Sequence, residues 1–200
     1  IAFGYVGQFA TAIMGFILKQ VFIANLGATL NGVNGLYTGI LSLLNMAELG
    51  IGTAMNFALY APVARGDREK IKSYMKLYRK AYYTVAFVVA AIGLVLAPFL
   101  RIFIKDPGAN TWHDLTMYYL IFLFNTVSSY FVAYKYSLVN ASQKNYIQTN
   151  ITTVTKIVTV LAQMLVLVTT RNFYCYLITD AAIQLIQKFF ANWYLNHLYP

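Results

Sequence analysis

Apolar residues fill six stretches of this chain, near 2–26, 33–63, 81–104, 115–138, 147–169 and 174–196, and polar residues gather between them. A helix needs about 20 residues to cross a bilayer core of roughly 30 Å, and each stretch supplies them. The stretches lack the alternation of a membrane β-strand and are too long to be one, so they read as helices. The second is overlong and must tilt or extend past the interface. Connections are short: residues 27–32 join the first pair, and 105–114, with the turn signal Asp106-Pro107-Gly108, join the third to the fourth. The expected fold class is all-α, a polytopic transmembrane bundle of six helices.

Polar positions inside the stretches are not scattered. At about 100° per residue, Asn34, Thr38, Asn45, Glu48, Gly52 and Asn56 share one face of the second helix. Gln8, Thr11, Gly15 and Lys19 share a face of the first. The fourth has Asn125, Ser128, Ser129 and Tyr136, with Lys135 at the edge. The fifth has Thr152, Lys156, Thr159, Gln163 and Thr170, and the sixth Asp180, Gln184 and Gln187 with Lys188 beside them. The third has no such stripe, and its interior is broken only by Gly93 and Pro98. Striped helices around one plain helix predict a polar interior with the third helix at the lipid-facing rim.

Amides and hydroxyls in such stripes also serve as hydrogen bonds between helices, worth about 0.6 kcal/mol each. Ionisable residues demand more, since a charge at the bilayer centre costs about 2.5–3.5 kcal/mol. Glu48 and Lys156 lie near mid-span, Lys19 and Asp180 nearer the outer leaflet, and Lys135 and Lys188 nearer the inner one. For the last two, snorkelling is an equal alternative. The candidate cavity residues are Lys19, Asn45, Glu48, Asn56, Lys156, Gln163, Asp180, Gln184 and Lys188, with Glu48 and Asp180 as candidate ion-coupling groups. With Lys135 included, four lysines stand against two acids in these spans, an excess that suits an anionic ligand such as a phosphate. The structural alternative is an internal ion pair such as Glu48–Lys156.

Composition sharpens the class. The chain of 200 residues is 60% hydrophobic and 10% charged, whereas a soluble domain carries about 25% charged residues. Its net charge of +9 does not point to nucleic acid as a partner, because the charge is concentrated between residues 65 and 80. Arg65, Arg68, Lys70, Lys72, Lys76, Arg79 and Lys80 stand there against Asp67 and Glu69. By the positive-inside rule this loop and the N-terminus are cytoplasmic. Ile71, Tyr74, Met75, Tyr78 and Tyr82 recur opposite the lysines, the pattern of a short helix lying on an anionic leaflet, with membrane lipids as partners.

Catalytic patterns are missing. His113 and His197 fall on opposite sides of the membrane, and there is no GxxxxGK[ST] loop, GxSxG elbow or Asp-x-Asp pair. The single Cys175 cannot form an intrachain disulfide. The expectation is a protein that is not an enzyme and needs no metal or cofactor. With no initial Met and an end directly after an apolar stretch, residues 1–200 read as an N-terminal transmembrane bundle of a longer chain.

At the second helix a family resemblance emerges. Leu26-Gly27-Ala28, Gly32-Val33-Asn34-Gly35-Leu36, Ile40-Leu41-Ser42-Leu43-Leu44 and Ala47-Glu48-Leu49-Gly50-Ile51-Gly52-Thr53-Ala54 resemble the polysaccharide-transporter (Wzx-type) flippases. These belong to the multidrug/oligosaccharidyl-lipid/polysaccharide exporter superfamily. Leu59-Tyr60-Ala61-Pro62-Val63-Ala64 and Ala141-Ser142-Gln143-Lys144-Asn145-Tyr146-Ile147 continue the likeness. The resemblance implies one lobe of a two-lobe MATE-like transporter in the bacterial cytoplasmic membrane, its partner lobe lying in a missing C-terminal half. The implied activity is alternating-access translocation of an undecaprenyl-diphosphate-linked anionic oligosaccharide for surface polysaccharide such as O-antigen or capsule. Lys19 stands where the family often has arginine, which keeps the charge but not the bidentate fork. The competing expectations are a drug/cation antiporter of the same superfamily and, from another class, a membrane-embedded glycan polymerase or ligase. The latter needs large charged external loops, and those here are tiny. A non-transporting membrane scaffold would need no continuous polar interior.

Overall fold

The computed structural model describes residues 2–46, 49–104, 107, 108 and 110–199. Among these, all regular structure is helical: α1 (Ala2–Met46), α2 (Leu49–Arg65), α3 (Arg68–Leu96), a 3-10 turn (Ala97–Phe99), α4 (Leu100–Phe103), α5 (Trp112–Ala141), α6 (Asn145–Thr170) and α7 (Phe173–Leu198). Straight, the 45 residues of α1 would measure ~68 Å, about twice a bilayer core. They do not run straight. Gly27, at φ 86° and ψ 168°, occupies a backbone region that only glycine enters without strain.

Contacts on either side of Gly27 show that the chain doubles back there. Gly7 lies against Thr153 of α6, and the Phe22 ring meets Phe173 and Tyr176 of α7. Residues 7–22 therefore follow α6 from its beginning towards its end. Tyr37, fully buried, donates its hydroxyl to the Leu115 carbonyl at 2.8 Å, and Asn45 accepts from Tyr130. Residues 37–45 thus follow α5. Only residues 142–144 separate α5 from α6, a tight turn with Gln143 at φ 58°, so the two helices are antiparallel. The first two expected spans are both present, but the connection expected over 27–32 shrinks to a turn at Gly27, and residues 28–32 are helical.

The second expected span, 33–63, is divided between the end of α1 and α2, and residues 47 and 48 lie outside the described residues. Beyond the junction α2 continues the descent. Met55 accepts from the Tyr78 hydroxyl at 3.2 Å, and Leu59 packs with Tyr78, Tyr82 and Ala141. Counted this way, the described residues make six helical passes. Four helical segments are by themselves long and apolar enough to cross a membrane, 7–46, 68–103, 112–141 and 145–170. The helix α2 is too short alone, at 17 residues, and α7 is interrupted by polar side chains.

The basic segment is not a loop. Gly66 at φ 67° turns the chain, and the Asp67 side chain caps α3 by accepting from the Lys70 amide at 3.1 Å. From Arg68 the helix runs unbroken into the third span. The face carrying Tyr74, Met75, Tyr78 and Tyr82 packs against α2 and α5; it does not form a separate amphipathic helix for the leaflet. Farther along α3, Phe87, Leu94 and Val95 are exposed while Ala86, Val89 and Gly93 are buried. The other helices expose large apolar side chains as well, among them Phe16, Phe124, Leu165 and Phe189, so this outer face does not set α3 apart. At the other end of the bundle, Thr111 and Asp114 form a reciprocal capping box that starts α5. Arg171 at φ 48° ends α6, and Asn172 caps α7. The helix α5 touches α1, α2, α3, α6 and α7, so it is the central staff of an all-α transmembrane bundle.

Candidate functional site: a polar seam between α5 and α7

Along α7, Asp180, Gln184, Lys188, Asn192 and Asn196 follow one another at four-residue steps. Such a row forms an inclined ridge on a helix surface. The neighbouring α5 runs parallel to α7: the Tyr118 ring packs edge-on against Phe173 and tilted against Tyr174 near one end, and Lys135 meets Asn192 and Asn196 near the other. The ridge therefore stays beside α5 over its whole length, and the polar residues of α5 face it.

At the middle of the seam, the Asn125 amide stands between two charges. Its Nδ2 donates to Asp180 Oδ2 at 3.0 Å, and its Oδ1 accepts from the Lys188 ammonium at 2.8 Å. Gln184 Nε2 donates to the same Asp180 oxygen at 2.9 Å. Lys188 also donates to the Asn125 carbonyl oxygen at 2.8 Å and to Ser128 Oγ at 2.7 Å. An ammonium has three protons, and all three are placed. No direct ion pair joins Asp180 to Lys188 among the described residues, because they stand two turns apart on α7 with the Asn125 amide and Gln184 between them. The amide presents its N–H edge to the carboxylate and its oxygen to the ammonium, so each charge keeps a polar partner. Snorkelling is thereby excluded for Lys188, whose ammonium is bound inside the bundle.

The seam continues in both directions. One turn before Asp180, the Tyr176 hydroxyl lies beside Gln163 of α6, which is 4% exposed. Farther towards the capping box, the Tyr174 hydroxyl donates to Asp114 Oδ1 at 2.8 Å. At the basic end the Lys135 ammonium donates to the side-chain oxygens of Asn192 and Asn196.

Of the residues expected to line a cavity, Asp180, Gln184 and Lys188 come together with Asn125, and Gln163 is buried nearby beside Tyr176. The others do not join them. Lys19 and Lys156 are exposed and have no hydrogen-bond or ion-pair partner among the described residues. The contacts of Gly7 and Phe22 set their relative height: they stand about nine residues of helix apart, ~13 Å along the bundle. Asn45 sits at the surface and accepts from Tyr130. Asn56 is half-buried, with its Oδ1 shut away from solvent and lacking a partner among the described residues. Glu48 lies outside the described residues, and so does the weighed pairing of Glu48 with Lys156. Among the described residues, the charged and amide side chains of the interior gather along α5 and α7, Thr11, Thr159 and Gln163 are buried on α1 and α6, and the lysines of α1 and α6 lie at the surface. Lys19 flanks Leu18 and Phe22, whose burial fixes the rotation of α1 and turns the lysine outward.

Asp114, Tyr174, Tyr176, Asn192 and Asn196 of the seam escaped the sequence reading, as did Tyr130, which bonds Asn45. For the two asparagines a signal existed, since they extend the four-residue spacing from Asp180 through Lys188. Polar residues in the last turns of a span ordinarily read as its solvated end. No family model, curated protein or solved structure matches the chain.

Proposed function

We propose that this multi-pass membrane protein is a flippase for an anionic, lipid-linked oligosaccharide carried on undecaprenyl diphosphate. In this reading it supplies one lobe of an alternating-access transporter in the bacterial cytoplasmic membrane, with its basic end towards the cytoplasm. The all-α bundle is consistent with a membrane transport protein in general. The observation that carries the finer reading is the pair Lys19 and Lys156, ammonium groups within the spans on faces that the bundle leaves uncovered. Facing lipid, Lys156 near mid-span would cost about 2.5–3.5 kcal/mol, and Lys19, nearer the outer leaflet, less. Facing a water-filled cleft completed by another lobe, they cost little and attract an anionic headgroup. The resemblance around Ala47-Glu48-Leu49-Gly50-Ile51-Gly52 supports the same substrate class. Asp180 favours a second reading, a cation antiporter, because its amide-ringed carboxylate is the acidic group held inside the seam.

The test uses the whole protein in proteoliposomes, with a labelled undecaprenyl-diphosphate oligosaccharide in one leaflet and an impermeant glycosidase outside. Transfer should exceed that of empty vesicles, and Lys19→Ala or Lys156→Ala should lower it about tenfold, the loss of roughly 1.4 kcal/mol of anion attraction. No transfer of several such lipids under several ion gradients would sink the flippase. Uptake of a fluorescent cation that depends on Asp180 would then establish the antiporter.

A further inference from the structure

A cavity of about 600 Å³ opens at the basic end of the bundle, between α3, α5 and α7. Arg68, Lys72, Lys76 and Arg79 contribute to its wall from α3, and Lys135 contributes from α5. The four α3 residues stand at i, i+4, i+8 and i+11, so one helix face presents them all. Among the described residues, no carboxylate side chain lines the cavity. Two acids flank Arg68 in sequence: Asp67 caps α3 and lies 3.6 Å from the Lys70 ammonium, and Glu69 is exposed on the first turn of α3 and is not part of the cavity wall. Five cations around one space repel each other, and a bound anion relieves that repulsion.

The cavity is also apolar in part. Met75, Leu138 and Leu195 share its wall with the cations. A purely soluble polyanion has no use for that surface, whereas a lipid has both a phosphate and a hydrocarbon stem. The position agrees, because the cations sit where apolar spans give way to the basic end. The volume, about that of twenty water molecules, admits a phosphate with its glycerol. Lys135 is held ready: two of its three protons go to Asn192 and Asn196, leaving one for a ligand oxygen. Arg79 is steadied over the Tyr83 ring at 5.3 Å.

We infer that this cavity is a headgroup site for an anionic phospholipid, which it holds by the phosphate between the α3 cations and Lys135. Basic pockets between transmembrane helices at one face of a membrane suit such headgroups. The inference does not rest on the transport reading, and neither Lys19 nor Lys156 takes part. A lipid in this site clamps the start of α3 to the ends of α5 and α7.

The test places the whole protein in nanodiscs of phosphatidylcholine alone or doped with phosphatidylglycerol. Native mass spectrometry then reads retained lipid, and a thermal melt reads the midpoint. Phosphatidylglycerol should be retained and should raise the midpoint. Retention should fall about fivefold for each cation removed, in Lys135→Gln and separately in the double variant Lys72→Gln/Lys76→Gln, whose exposed positions do not endanger folding. Lys80→Gln, in the same basic segment but outside the cavity wall, should leave retention unchanged. Equal retention of phosphatidylcholine, or equal loss in the Lys80 variant, would overturn the site in favour of diffuse surface attraction. Inorganic pyrophosphate that raises the midpoint as far in phosphatidylcholine alone would assign the phosphate chemistry to a soluble ligand and overturn the lipid assignment.

Discussion

Lys188 and Asp180 are tolerated in α7 because each charge has neutral hydrogen-bond partners, and Asn125 serves both. Removing that amide leaves an ammonium and a carboxylate short of partners at once. Losing a hydrogen-bond partner costs a buried polar group about 1–3 kcal/mol, and more when the group is charged. Asn125→Leu should therefore destabilise the protein by about 2 kcal/mol or more, read from the midpoint of unfolding in detergent. In a Lys188→Met background the same change should cost at least about 1 kcal/mol less, since the two residues act as one network. Additive effects would dissolve the network into independent contacts. The residue scale also explains why the seam is the part of the site the sequence concealed. Asn125 and Asp180 are 55 positions apart, and nothing local records that α5 and α7 run parallel in the register that joins them. The stripes could say that each helix has a polar face, and could not say which faces meet.

At the scale of elements, α1 turns on one residue. The conformation of Gly27 costs a residue with a side chain about 1–3 kcal/mol. No neighbouring atom stands within 4 Å of the Cβ it lacks, so the penalty is one of backbone and not of crowding. Gly32 has equally open surroundings but lies in regular helix, where alanine is favoured over glycine by roughly 1 kcal/mol. Gly27→Ala should lower the unfolding midpoint and Gly32→Ala should leave it level or raise it, two opposite outcomes from the same chemical change. Matching effects would mean that the reversal does not depend on Gly27. The sequence marked 27–32 as a connection because both ends are glycine; it had no means to show that the first alone suffices. Helix α3 was misread for a related reason. Charge density between 65 and 80 suggested a loop, yet arginine and lysine are good helix formers, and once Asp67 caps the segment nothing interrupts it before the 3-10 turn.

For the whole molecule, the six passes were legible because span length and apolar composition are local properties and the bilayer sets a fixed length for both. Their arrangement around α5 was not, since every helix here has enough apolar surface to pack against lipid or protein. The order of passes still makes a claim about sides that can be tested without knowing the function. The basic end gathers the start of α3, the turn at 142–144 and the end of α7, while the capping box of α5 and the start of α7 lie at the other end. In a Cys175→Ser background, Ser73→Cys and Asn172→Cys place single thiols at exposed positions of the two ends. Labelled in intact cells with a membrane-impermeant maleimide, Asn172→Cys should react at once and Ser73→Cys only after the membrane is opened, the cationic end being retained in the cytoplasm. Reaction of the two in the reverse order would keep the bundle and invert it. Reaction of both from one side would mean that the chain between them, from the start of α3 to the start of α7, crosses an even number of times, against the three passes of α3, α5 and α6 that the contacts require.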